Sequence, residues 1–421
     1  MNRREKSREG TVEQVDVAII GGGPGGLTAG IYCGRANLNT VIIEKAMVGG
    51  LATYTNEIEN YPGFVNGITG NDLMKNFQDQ AKRFNVKFKL TDVKSIQVEG
   101  PVKIVETART RYEAKAVIVA SGGKPRLTGA KGEENYLYDK GIAFCATCDA
   151  AANKDKVVMV IGSGDAAIEE GMFLTKFASK VIVSVIHDEG IMDCNEIAKA
   201  EALANPKMEF IWNTVVDEFK GEDHLDTIVL KNVKSGGLIP VTVDSCFLFI
   251  GYIPNSELFE GILDMTPTGY LLTNDKMETN IDGVFAVGDI REKFLRQVAT
   301  AVGDGAMAGV AAEKYIAEEE TFHTQIMESG AKTNLVYVYN CTDHGCLENL
   351  AILEKFEQEF SEHCKLIRVD IYKSNGIAKR LAIETAPTVA FIKDGCKVQI
   401  LEGNLSRDLL LMGLSAEIKS N

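Results

Sequence analysis

One arrangement occurs twice in this chain, and the repetition limits the folds open to it. The first copy is VDVAIIGGGPGGLTAGIYCGRANLNTVIIEK, starting at Val15. Val15–Ile20, apolar except for Asp16, is a run of the kind that fills a parallel strand buried on both faces. Gly21, Gly23 and Gly26 follow as GxGxxG, enclosing Pro24 and Gly25; then comes a helix, then Thr40–Ile43 and Glu44. Strand, glycine turn, helix and strand make a complete βαβ unit. Glycines let the backbone approach a pyrophosphate, the helix N-terminus stabilises its charge, and an acid after the second strand accepts from a ribose hydroxyl. Glu44, 18 residues beyond Gly26, stands where that acid is needed. Dinucleotide binding is the reading; a tight glycine turn that holds nothing is the alternative.

The second copy is KVVMVIGSGDAAIEEGMFLTKFASKVIVSVIH, where Gly162, Gly164 and Ala167 form GxGxxA. Two such units imply two dinucleotides, with electrons passing from one to the other. The expected class is α/β, with two Rossmann-like dinucleotide-binding domains. In TNIDGVFAVGDI a strand over Val284–Val287 runs into Gly288 and Asp289. An acid just past a strand end, ahead of a helix over Val298–Ala317, suits a ribityl or phosphate neighbour.

Composition turns polar over residues 318–332, which reads as a linker. A new α/β pattern follows: a strand over Leu335–Tyr339, an amphipathic helix over Leu347–Phe360, a strand over Lys365–Asp370, and a hairpin turning at Asp394–Gly395. A chain of 421 residues has room for two to four domains. Its net charge of −14 argues against nucleic acid and anionic membrane surfaces, which want basic patches. No apolar run reaches the length of a membrane span. The charged N-terminus MNRREKSREGTVEQ has no apolar stretch for a signal peptide and reads as a disordered tail over residues 1–11. Nine cysteines over so long a chain do not resemble a secreted disulfide framework; cytoplasmic thiols with one or two catalytic pairs fit better.

One pair stands out. GIAFCATCDA places Cys145 and Cys148 two residues apart, with Asp149 directly behind. Such a pair is a redox disulfide, half of a metal site, or a buried inert pair. Zinc needs a second pair or histidines at ligand spacing. Cys194 and Cys246 stand alone and the five histidines are scattered, so no metal site is expected.

GGGPGGLTAGIYCGRANL, GGLATYTNEIENYPGF, CATCD, GSGDAA, GVFAVGDI and RQVATAVGDGAMAG together resemble the low-molecular-weight thioredoxin reductases over the first ~320 residues. The resemblance implies an FAD-binding domain from residues 12–126 and 251–320. It also implies an inserted nicotinamide-type domain over 127–250 that carries the cysteine pair. It gives Cys148 the role of exchanging electrons with the flavin, Cys145 that of attacking a substrate disulfide, and Asp149 that of moving the proton. Gly21, Gly23, Pro24, Gly25, Gly26, Glu44, Gly50, Gly288, Asp289, Arg296, Gln297 and Val298 would hold FAD, with Asn60 a further candidate. Residues 332–421, after a linker over 321–331, look like a thioredoxin fold, in which Pro387 of APTVAFIKDG stands at the position of a cis-proline. The implied partner is a thioredoxin-like or peroxiredoxin-like protein disulfide, and the implied assembly a homodimer.

Three departures shape the expectation. NADPH-linked members carry an arginine cluster, HRR with another arginine soon after, where this chain reads SVIHDEGIMDCNE; no arginine occurs between Arg126 and Arg291. A 2′-phosphate wants arginine forks, so NADH is expected over NADPH, with Asp188 or Glu189 accepting from a bare ribose. Relatives with eroded motifs take electrons from ferredoxin or a deazaflavin, which stays the alternative donor. Next, AAANKD replaces aromatics after CATCD, and Leu51 replaces a glutamine near the flavin. Last, the tail lacks WCGPC. In VYNCTDHGC, Cys346 takes the second cysteine's place and Asp343 the first's, with Cys341 five residues before Cys346. Cys341 and Cys346 are the candidate second couple, and a redox-inactive docking module is the competing reading.

Overall fold

The structure, a computed structural model, describes residues 11–55, 58–328 and 330–418. The expected tail therefore lies outside the described residues, except Thr11, which opens the first strand. The chain divides into two compact units, Met1–Ala311 and Ala312–Asn421.

The first unit has two larger sheets, beside a three-stranded antiparallel sheet within residues 214–242 and a two-stranded pairing of Gly123–Pro125 with Tyr252–Pro254. Its N-terminal sheet comprises β1 (Thr11–Ile20), β2 (Thr40–Glu44), β3 (Lys87–Leu90), β4 (Val93–Gln97), β5 (Lys103–Thr107) and β6 (Thr110–Val119), in the order β3-β2-β1-β6-β5-β4. β1, β2, β3 and β6 run parallel, and β4 and β5 return antiparallel along one side. On the side away from β1, β6 serves two partners: Ala114 faces Lys103 of β5, while Val117 faces Val284 of the strand Val284–Ala286. Sequence from beyond residue 280 thus completes the sheet that the N-terminus starts. Val17, Ala18 and Ile19 are fully buried, as a strand covered on both faces requires. Helix α1 (Pro24–Arg35) leaves β1 through the glycine turn, with proline at its first position, where a missing N–H costs nothing. A Cβ on Gly26 would lie 2.1 Å from the Gly21 carbonyl oxygen, so only glycine lets α1 approach the strand this closely. Helix α2 (Gly70–Arg83) packs on α1, its Thr69 cap accepting from the Asp72 amide at 3.1 Å.

The second sheet lies within residues 142–248. Its strands are Met208–Trp212, Lys180–Val185, Val157–Ile161, Ser245–Leu248 and Ile142–Ala143, in that order and all parallel. Three short helices attend it: α3 (Ala146–Asp149), α4 (Asp165–Leu174) and α5 (Glu196–Ala204). α3 is the CATCD turn itself, and it rests on α4. Helix α6 (Val298–Thr321) begins straight after Gln297 and contains the division between the two units. Among the described residues no helix is long and apolar enough to cross a membrane.

The second unit holds a four-stranded sheet in the order Cys364–Asp370, Thr333–Tyr339, Thr388–Lys393, Cys396–Glu402. Around it lie α7 (His344–Glu359), α8 (Asn375–Arg380) and α9 (Arg407–Ile418). The hairpin turns at Asp394 and Gly395, both with positive φ, as a two-residue turn of this hand demands. The Ala386–Pro387 bond is cis. α7 starts at His344, three residues earlier than its apolar spacing suggests, because the Asp343 side chain caps it by accepting from the Cys346 amide at 2.8 Å. Part of the segment expected to be a linker is helical. Phe322–Met327 continues α6 as a π-helical turn, and Ile326 is fully buried with Val336, Val338 and Ala390. Phe322, Ile326 and Met327 supply the apolar face that the polar average of the stretch conceals.

Candidate active site

The first glycine turn is shaped for a ligand. Gly21 has φ of 107°, and its N–H donates to the Ile43 carbonyl, fixing the turn to the end of β2. A Cβ on Gly23 would meet nothing within 4 Å, so its outer side is open. Gly50 adopts a left-handed conformation with its Cβ direction 3.4 Å from Gly23 Cα, and so borders the same turn. Pro24 and Gly25 open α1 behind it. Glu44 accepts from the Gly22 amide at 2.8 Å and the Ala46 amide at 2.9 Å. One bond falls on each carboxylate oxygen, which leaves lone pairs for ribose hydroxyls. A cavity of about 380 Å³ opens here, lined by Gly21, Glu44, Lys45, Asp92, Ser121 and Asn255. That volume is on the scale of small-molecule sites.

Further along, Gly288 donates its N–H to Asp304 Oδ2 at 3.0 Å, and the neighbouring Asp289 carboxyl is largely buried. Burial raises the Asp289 pKa against the pull of Lys293 and Arg296, and its Oδ1 has no hydrogen-bond partner. A buried orphan acceptor calls for a donor such as a ribityl hydroxyl. Arg296 lies 4.0 Å over the Tyr270 ring, and its buried Nε is likewise unpartnered. These features fit FAD: Gly21, Gly23 and Glu44 for its nucleotide half, Gly288 and Asp289 for its ribityl and phosphate half. Sequence reasoning missed the support beneath: Asp304 joins Lys293 Nζ at 2.8 Å and Arg291 Nη1 at 3.3 Å in a buried cluster. Asp304 lies within RQVATAVGDGAMAG, but no spacing rule points to its carboxylate.

Cys145 and Cys148 form a disulfide, their Cα atoms 5.3 Å apart. The pair occupies α3, with Cys145 at the N-cap. Gln297, next to Val298 at the start of α6, donates Nε2–H toward Cys145 Sγ at 3.7 Å and Thr147 Oγ1 at 3.4 Å. Asn60 donates to Gln297 Oε1 at 3.1 Å. Asn60, Gln297 and Cys145, from three distant stretches, thus meet in one chain of contacts. It is Cys145, the sulfur expected to face the substrate, that meets Gln297. Asp149 closes the same turn, its N–H bonded to the Cys145 carbonyl and its own carbonyl accepting from Asn153. Just ahead of the turn in the chain, Phe144 meets the Tyr138 ring edge-on at 5.8 Å, and Tyr138 stacks on Tyr54 at 4.4 Å. Glu170 of α4 reaches the turn and accepts from the Ala146 amide at 3.1 Å and from the Thr147 amide. Burial raises its pKa. It too carries no signal in the sequence.

The second glycine turn repeats the first. Gly162 has φ of 125°, its N–H donates to the Ser184 carbonyl, and Gly164 opens α4 with nothing within 4 Å of its Cβ direction. Ala167 is buried, and its methyl lies 3.3 Å from the Gly162 Cβ direction. Matching Ser184 to Ile43 places buried Val185, not an acid, at the position of Glu44. Acids follow instead. Asp188 is ion-paired with Lys234, which lowers its pKa. Asp193 accepts from Ser163 of the turn at 3.1 Å and lies 2.9 Å from His187 Nε2. Asp193 is the carboxylate tied to the turn, although Asp188 and Glu189 stand nearer the strand end in sequence.

In the second unit Cys341 and Cys346 are free thiols with different surroundings. Cys341 is exposed beside the Asp370 carboxylate, which raises its pKa. Cys346 is fully buried, its Sγ accepting from the Asn340 amide at 3.4 Å, and burial raises its pKa also.

Comparison with known proteins gives the family of each part of the chain. The family model described as pyridine nucleotide-disulphide oxidoreductase matches residues 15–305, and that described as thioredoxin matches residues 313–416. Thioredoxin reductase of Peptoclostridium acidaminophilum is 41% identical over 72% of this chain and 96% of its own length. That of Peptoclostridium litorale is 44% identical over 72% and 97%. The crystal structure of thioredoxin reductase from Streptococcus pyogenes superposes with a TM-score of 0.68 at 39% identity, covering 72% of this chain and 98% of that one. The chain belongs to the pyridine nucleotide-disulphide oxidoreductase family, and it carries a thioredoxin domain at its C-terminal end.

Proposed function

We propose that this protein is an FAD-dependent disulfide reductase of the thioredoxin reductase type. In this reading electrons pass from NADH through Cys145–Cys148 to a thioredoxin-like protein disulfide. The observation that carries the reading is the Cys145–Cys148 disulfide lying against Gln297, in a chain whose Asp289 holds out a buried orphan oxygen. FAD, held at the first glycine turn and at Asp289, supplies a two-electron carrier between donor and disulfide. The chain's own chemistry is thiol exchange. Two electrons and two protons open Cys145–Cys148 to a dithiol. A thiolate of that pair attacks the substrate disulfide, forming a mixed disulfide and releasing one substrate thiol; the other then displaces the second and restores the bond. Asp149, within the same turn, holds or delivers the proton that each exchange moves. NADH is favoured over NADPH because Asp188, Glu189 and Asp193 stand where a 2′-phosphate would need cations.

Anaerobic mixing with NADH should bleach the flavin, and oxidised thioredoxin-like protein added afterwards should restore its colour. Bleaching by neither nicotinamide would refute the donor assignment; bleaching without return of colour would refute the acceptor.

A second reading concerns the tail alone. Asp343, not a cysteine, caps α7, while Cys346 is buried and Cys341 is turned to Asp370. This arrangement favours a C-terminal domain that docks a partner rather than one that relays electrons. Counting thiols of the full chain before and after mild oxidant, in a Cys145→Ser/Cys148→Ser background, separates the two. A docking domain keeps Cys341 and Cys346 reduced; a relay loses two thiols.

A further inference from the structure

Glu170 has no role in the thiol exchange, yet its carboxylate touches the redox turn directly. It sits on α4, 22 residues after Cys148, and only the packing of α3 on α4 brings it there. Its carboxylate accepts from the amides of Ala146 and Thr147, the two residues enclosed by the cysteines. Amides at the start of such a turn are the groups that would otherwise stabilise a thiolate on it, and cysteines so placed have depressed pKa values. Here a partly buried acid has taken them. Glu169 lies beside it on α4 and Asp149 at the far end of the turn, both acidic, while Thr147 and Gln297 are neutral. A thiolate formed on this turn therefore faces negative neighbours and preoccupied donors.

We propose that Glu170 is a positioning residue that keeps the Cys145–Cys148 couple strongly reducing, by engaging the Ala146 and Thr147 amides with a carboxylate. The logic is that of thiol–disulfide poise. A couple whose reduced form gains a stabilised thiolate becomes oxidising, and one denied that stabilisation passes electrons on readily. A pair that must hand electrons to another protein's disulfide needs the second condition. Glu170 also holds the turn in shape, but the charge, not the shape alone, sets the poise. This inference rests on the reading of Cys145–Cys148 as a redox couple.

The test uses the holoenzyme in buffers of reduced and oxidised dithiothreitol, with free thiols trapped by maleimide and counted by mass. Neither nicotinamide nor protein substrate is needed. Glu170→Gln keeps a hydrogen-bond acceptor and removes the charge. It should move the exchange equilibrium toward the dithiol by about tenfold, or ~30 mV for a two-electron couple. The pH at which the reduced turn becomes alkylated by iodoacetamide should fall in step. Glu170→Asp, with its carboxylate withdrawn by one methylene, should shift both in the same direction but less, and decides the matter if Glu170→Gln does not fold. An unchanged equilibrium and alkylation profile in the folded variant would overturn the proposal and leave Glu170 a structural prop. A wild-type disulfide that dithiothreitol cannot open at any ratio would instead overturn the redox reading beneath it.

Discussion

Cys145→Ser and Cys148→Ser should each lower disulfide-reductase turnover at least about a thousandfold while leaving the flavin bound and reducible. That scale follows when a group forming the covalent intermediate is removed. The two losses should be nearly equal, and the double variant little worse than either, because a disulfide needs both sulfurs and the pair acts as a unit. FAD should stay bound because its proposed contacts, Gly21, Gly23, Glu44 and Asp289, belong to elements outside α3. Absorbance at the flavin band during anaerobic NADH addition checks the first half of the path. Reduction of a small aromatic disulfide checks the second. Retention of a tenth of wild-type disulfide reduction by either variant would exclude the pair as the obligatory carrier. Loss of flavin bleaching in both would show that the substitutions had damaged the fold, and a Cys148→Ala variant would then replace Cys148→Ser in the comparison.

Chemistry that lies along the chain is legible in the sequence. Gly21, Gly23, Gly26 and Glu44 fall within one βαβ unit, so each is placed by local spacing, and the fold puts them together. The same holds for Gly162, Gly164 and Ala167, and for Cys145 with Cys148. Asp289 is legible because a strand end and an acid adjoin. Contacts made by packing are not. Glu170 is one of two neighbouring acids on a short helix, and nothing in their spacing tells which one turns inward under α3. Asp304 pairs with Lys293 and Arg291 only after the chain has turned from Gly288 into α6. Asp193 reaches Ser163 across 30 residues. The segment around Ile326 misleads for a different reason. Its acids and amides outnumber its apolar side chains, yet Phe322, Ile326 and Met327 are enough to join the core of the second unit. The average over a window hides a face, and the face decides burial.

Electron-donor preference is the second large effect, and Asp193 is the residue on which it turns. kcat/KM for flavin reduction should favour NADH over NADPH by about a hundredfold, close to 2.7 kcal/mol of discrimination. The added 2′-phosphate brings nearly two negative charges, as a phosphate monoester does. Around the second turn it would meet Asp188, Glu189 and Asp193 and no arginine fork, since residues 127–290 contain none. Lys234 does not compensate, because Asp188 already pairs with it. Asp193 is anchored to the turn through Ser163, whereas Asp188 is held by Lys234. Asp193→Arg removes that charge, supplies a bidentate donor, and frees His187, whose Nε2 is now held at 2.9 Å by Asp193. The NADH-to-NADPH ratio should fall at least tenfold in this variant, chiefly through a lower KM for NADPH. Asp193→Asn, which keeps the size and loses the charge, should lie between. The salt dependence carries the same signature: raising ionic strength should help wild type use NADPH and hinder Asp193→Arg, because screening weakens repulsion in the first and attraction in the second. A wild-type protein that prefers NADPH, or an Asp193→Arg variant with the ratio unmoved, would show that these acids do not face the 2′ position of a bound nucleotide.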